Sequence, residues 1–124
     1  MVEHNLKIPS LGYSGTVVIV HLLLHFLVPL LPALTLYRKN WLVSYGMLLA
    51  GLLIDVDHLL ADPIYDPGRC SLGFHPLHTA IPIVVYSLLM LFPKTRLIGM
   101  GLIIHVVLDA IDCQVTGGIW YTAG

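Results

Sequence analysis

Four apolar stretches of about 20 residues each take up most of this chain, and few folds are open to a chain built that way. They run roughly over 16–37, 41–61, 75–92 and 97–115. At about 1.5 Å of rise per residue, a helix of that length crosses a hydrocarbon core of about 30 Å. Lipid offers the backbone no water to bond with, so such segments must satisfy themselves as helices. The expected fold is all-α, a polytopic membrane four-helix bundle of two antiparallel hairpins over 16–115. A tail of 1–15 precedes it and a tail of 116–124 follows.

Composition agrees. Of 124 residues, 57% are hydrophobic and 10% charged, whereas a soluble domain carries roughly a quarter charged residues. Six basic residues among seven acidic ones, for a formal charge of -1, leave no patch for nucleic acid. Lys7 before the first apolar run resembles the start of a signal peptide. The run is too long for that and contains His21 and His25, so a retained helix is expected.

The connections set the topology. Arg38-Lys39-Asn40 and Pro93-Lys94-Thr95-Arg96 are tight, while the stretch from Asp62 to Phe74 is a long loop rich in Pro, Gly and Asp. The tight connections share one side and carry Arg38, Lys39, Lys94 and Arg96, against Lys7 and Arg69 on the other. Counting positive charge places the tight connections in the cytoplasm. The long loop and both termini then lie on the extracytoplasmic side of the membrane.

Within or bordering these spans stand His21, His25, Asp55, Asp57, His58, His75, His78, His105, Asp109 and Asp112. A carboxylate at the centre of a membrane helix costs about 2.5 to 3.5 kcal/mol on insertion scales. Helices 1 and 3 carry their histidines in the first turns, and helices 2 and 4 carry their polar residues in the last turns. All ten groups therefore fall in one leaflet, as a single site would require.

The spacings suit metal ligation. His21 and His25 are i, i+4, as are His105 and Asp109, with Asp112 three further on. Asp55 and His58 are i, i+3, and so are His75 and His78 around Pro76. Imidazole with carboxylate suits a divalent transition metal, zinc first, with iron, manganese or nickel also compatible. Ten candidates exceed the four ligands of one closed zinc site. The surplus implies two or more ions, or partners that orient the ligands. A proton relay would use the same residue types. Asp57, about 200° around an α-helix from Asp55, fits a ligand or a helix-end cap equally.

Three smaller features stand beside these. Pro29 follows His25 by four and Pro82 follows His78 by four, so each frees a histidine carbonyl and allows a bend. His21 to Asp55 and His75 to Asp109 are both 34 residues apart, which is compatible with a duplicated hairpin. Cys70 and Cys113 are expected on the same side as the site, either as buried thiols or as a disulfide.

The segments HLLLHFLVPLL, LLIDVDHLLADPIYDPGRCSLGFHPLHT and LIIHVVLDAIDC resemble a small bacterial membrane family, domain of unknown function 6122, over roughly 18–113. More distantly, the order of motifs is similar to the membrane-bound metal-dependent hydrolases. Through them it resembles the all-helical zinc-dependent phospholipase C and single-strand nuclease group. That resemblance implies ligands at Asp55, His58, His75, His78 and His105, with Asp109 as a carboxylate bridging two metals. This chain is much shorter and has His-Pro-Leu-His where the hydrolases have a longer motif, so elements that would bind substrate are reduced.

The function expected on these grounds is metal-dependent hydrolysis of a phosphoester, of lipid type, with membrane lipid and metal ions as partners. His21 and His25 complete the ligand set, Asp57 or Asp112 is the general base, and Arg69 on the rim holds substrate phosphate. The alternative is a metal-binding or transport protein without hydrolysis. A transport path through four short helices would need a homo-oligomer, and the inner half of the spans is almost purely apolar. A redox site with His-bound iron uses the same ligand types.

Overall fold

The computed structural model describes residues 16, 18–62 and 69–122; the N-terminal tail 1–15 and loop residues 63–68 lie outside the described residues. Four helices follow one another: α1 (Val18–Thr35), α2 (Arg38–Leu60), α3 (Ala80–Leu89) and α4 (Arg96–Gly117). The described residues contain no strand. By length and hydropathy α1, α2 and α4 are able to cross a membrane, while α3 is apolar but has only 10 residues. Leu22, Leu53, Leu60, Ile81 and many other aliphatic side chains face outward. So large an apolar exterior is at odds with water and suits lipid.

The helices differ in winding. α1 is interrupted by a turn at Val28 and Pro29, where the proline has no N–H to give the His25 carbonyl. α2 starts with a 3-10 turn at Arg38–Asn40, is α-helical over Trp41–Leu48, and then winds as a 3-10 helix over Leu49–Leu60. A 3-10 run of 12 residues is well beyond the usual three or four. Its three-residue period sets Leu48, Gly51, Ile54 and Asp57 in one line, and all four are buried. Asp57 thereby points into the protein, which the α-helical angle alone did not decide.

The third helix starts later than its apolar run. His75 is extended (φ -82°, ψ 140°), Pro76–His78 form one 3-10 turn, and Thr79 is extended again (φ -96°, ψ 174°). The two histidines therefore sit on a folded loop ahead of α3, not on a helix face. The His78 carbonyl, which a helical Pro82 would leave unpaired, accepts the Gly73 N–H at 3.0 Å.

α4 is the central element and buries Gly99, Gly101, Leu102, His105, Val106, Leu108, Asp109 and Cys113. Two glycines let the α2 and α4 backbones touch: a Cβ on Gly101 would run into the Leu48 carbonyl, and one on Gly51 into the Gly101 carbonyl. Small residues at such a crossing are the usual device for packing helices in lipid. Gly118, at φ 72°, closes α4 in the left-handed cap that glycine favours. On α1, the Phe26 carbonyl accepts the Tyr45 hydroxyl of α2 at 2.6 Å.

The loop before α3 is fastened at several points. Cys70 is bridged to Cys113 of α4. Thr122 N–H donates to the Leu72 carbonyl at 2.8 Å, Tyr86 Oη–H to the Leu77 carbonyl at 2.8 Å, and Ala80 N–H to Tyr121 Oη at 3.1 Å. Cys70, Cys113, Leu72 and Tyr86 belong to one core cluster with Ile54, Leu102 and Val106.

Candidate metal centre

The ten polar groups meet where α1 begins, α2 and α4 end, and the loop folds in. His25, Asp57, His75, His78, His105 and Asp109 are buried, and His78 has no exposed surface at all. Nine of the ten, all but Asp112, fall into three sets of converging ligand atoms, within each of which all atoms lie inside 4.8 Å of one another.

Asp55, His78, His105 and Asp109 form the first set. His105 Nε2 is 3.0 Å from Asp55 Oδ1 and 3.1 Å from Asp109 Oδ2. His78 Nε2 is 3.3 Å from Asp55 Oδ1, 3.1 Å from Asp109 Oδ2 and 3.3 Å from His105 Nε2. A tetrahedral ion with bonds of about 2.0 to 2.1 Å has ligand–ligand edges of about 3.3 to 3.4 Å. Five of the six edges are slightly shorter than or equal to that length, so the donors are spaced closely enough to share one ion. Asp109 Oδ2 is buried, and despite its two close nitrogens it makes no contact with hydrogen-bond geometry. Within the same set, His105 Nε2 makes hydrogen-bond contacts with Asp55 Oδ1 and with His78 Nε2.

The second set is His21, His25 and the other oxygen of Asp109. Asp109 Oδ1 lies 3.1 Å from His21 Nε2 and 3.2 Å from His25 Nε2. His25 Nδ1–H donates to the His21 carbonyl at 2.8 Å, which leaves Nε2 as the lone-pair nitrogen. That Nε2 is buried and has no hydrogen bond. Asp112 stands at the edge, its Oδ1 3.8 Å from His21 Nδ1.

Asp57, His58 and His75 make the third set. The His58 and His75 rings stack with centroids 3.8 Å apart, and Asp57 Oδ1 is 3.1 Å from His58 Nδ1. Burial, together with the neighbouring His58 ring, holds the loop residue His75 down to a pKa of about 4. On the same loop His78 shifts the other way: burial opposes its charge, but the Asp109, Asp55 and Asp57 carboxylates outweigh it and hold the ring up at about 10. Asp57 also serves the first set: its Oδ2 accepts His78 Nδ1–H at 2.9 Å and Leu77 N–H at 2.8 Å. A carboxylate behind a histidine fixes the tautomer and aims Nε2, the usual support for a metal-bound histidine.

The donor chemistry suits a hard-to-borderline divalent ion, with nitrogen and oxygen ligands and no sulfur. All ten residues singled out by sequence are thus near one another, and Arg69 is nearby with its guanidinium 4.7 Å from the Phe74 ring centre. Phe74 meets His75 edge-on at 5.0 Å. Spacing gave no hint of the Leu77 N–H, nor of Gly73 and Thr122, which hold the loop through their backbone N–H groups, nor of Tyr121, whose Oη accepts the Ala80 N–H.

No curated protein and no solved structure matches the chain. A family model does match, over residues 16–116, nearly the whole described structure. The chain belongs to that family, a family of unknown function (DUF6122).

Proposed function

We propose that this protein is an integral membrane metal-dependent hydrolase acting on phosphoesters of lipid type, with all four helices forming one membrane bundle. The observation that carries this reading is the division of Asp109. One oxygen faces a four-donor set and the other a three-donor set. Closed four-donor sites are structural, whereas three protein donors leave a position for water or substrate. A pair of divalent ions, zinc first by donor type, would supply Lewis acidity toward a phosphoryl oxygen and acidity to water.

The chain's own residues take the other roles. Asp57 has both oxygens engaged, so it positions His78, and Asp112 at the rim of the three-donor set is the better general base. The Asp55 side chain is 42% exposed and opens the first set to the surface. Leu53, Val56 and Leu59 beside it are exposed and apolar, which favours a substrate arriving from lipid. Arg69, stacked on Phe74 next to His75, stands where a substrate phosphate would pass.

The Cys70–Cys113 bridge is at this end of the bundle, and disulfides persist in oxidising compartments. With four positive charges at the tight connections, it supports an extracytoplasmic site.

The test is a panel of phosphomonoesters, phosphodiesters and lipid headgroup substrates, run on protein in detergent or lipid. Asp109→Asn and a chelated sample serve as controls. Turnover lost in both supports the reading, and turnover surviving both is contamination. No turnover, together with metal-driven uptake into vesicles, would replace it with metal transport.

A further inference from the structure

The opposite end of the bundle holds a second polar feature, with no part in the metal centre. Where α1 gives way to α2, a cavity of about 410 Å³ is lined by Thr35, Tyr37, Arg38, Lys39, Asn40 and Ser44. Its charge is unbalanced. Every carboxylate among the described residues (Asp55, Asp57, Asp62, Asp109 and Asp112) lies at the other end. Among the described residues, the side chains of Arg38, Lys39, Asn40 and Ser44 make no hydrogen bond or ion pair.

Ser44 is the telling member. It is only 4% exposed, yet it lines the cavity without a partner. The hydroxyl is not sealed off in the interior: its Oγ keeps accessible surface, where a ligand oxygen can bond it. Here it faces the same space as two unpaired cations, a combination that suits a phosphate oxygen.

We propose that this cavity binds the headgroup of an anionic phospholipid. Two cations with no carboxylate favour a net negative phosphodiester over a zwitterionic one. The surroundings favour a lipid over a free ion: Leu34, Leu36 and Leu42 are exposed around the cavity and offer an apolar bed for acyl chains. Trp41, 41% exposed beside them, is the type of residue that settles at the headgroup level. The proposal does not depend on the metal centre or on hydrolysis.

The experiment is a thermal unfolding series on the full chain in neutral detergent, with added phosphatidylglycerol, phosphatidylcholine or inorganic phosphate. Phosphatidylglycerol well above its Kd should raise Tm by roughly 5 °C, and the other two should not. The Arg38→Gln/Lys39→Gln pair should abolish the shift and Ser44→Ala should reduce it. Lys94→Gln, on the same side but outside the cavity, should leave it unchanged. Each variant is first checked for wild-type elution volume and helical circular dichroism, and Ser44→Ala keeps the test open should the charge pair not fold. Equal shifts from phosphatidylcholine, or a shift that survives the charge pair, would overturn the proposal. So would an equal effect of inorganic phosphate, which would make the cavity a free-anion site, or an equal loss in Lys94→Gln, which would mean diffuse surface charge.

Discussion

Asp57 holds His78 from behind: its Oδ2 accepts the Nδ1–H of that ring at 2.9 Å, while the ring's Nε2 faces Asp55, His105 and Asp109. The same oxygen takes the Leu77 N–H, so ring and backbone are fixed together. Asp57→Asn should keep the fold but weaken metal affinity about 10- to 100-fold, the usual cost of losing such a support. Isothermal titration with zinc checks it. An affinity equal to wild type would mean that Asp57 does not position His78.

Asp109 is shared between two donor sets, so its loss should be felt twice. Asp109→Ala should lower the metal content by more than one ion per chain, whereas His21→Ala should affect only the three-donor set. Elemental analysis of the two variants beside wild type distinguishes a bridging carboxylate from a ligand of one site.

The α2–α4 crossing makes a sharp prediction about glycines. Gly101→Ala places a methyl against the Leu48 carbonyl, a backbone group that cannot rotate away, and should destabilise by about 1 to 3 kcal/mol. Gly46→Ala meets nothing within 4 Å and should be neutral or slightly stabilising, since alanine is the better helix former by about 1 kcal/mol. Thermal unfolding in one detergent compares the two.

The bridge from Cys70 to Cys113 closes a separation of 43 residues and ties the loop bearing His75 and His78 to the helix bearing His105 and Asp109. In the chain-entropy model such a link contributes about 4 kcal/mol. Reduction under denaturing conditions, followed by refolding with blocked thiols, should lower both Tm and metal affinity. Two free thiols in untreated, denatured protein would show that the bridge does not form.

Much of this was legible in the sequence. The apolar runs marked the helices, and the i, i+4 spacings of His21 with His25 and of His105 with Asp109 fixed two of the donor faces. Those pairs lie on regular α-helix, where sequence distance converts directly to direction. Asp57 was ambiguous because the conversion assumes 3.6 residues per turn, and its segment has three. His75 and His78 were expected in the first turn of a helix. They sit on a loop because Thr79 is extended, a conformation set by the Gly73, Tyr121 and Thr122 contacts and not by a local pattern. The cysteines, likewise, permitted a bridge without requiring one. Their approach depends on how the loop packs on α4.

The most direct test is a metal count on wild-type protein purified without chelator at neutral pH. Inductively coupled plasma mass spectrometry, normalised to chain concentration, should find at least two divalent transition-metal ions per chain, falling sharply in Asp109→Ala. Protein that retains its helices and its Tm with no stoichiometric metal, and takes up none on titration, would contradict the account.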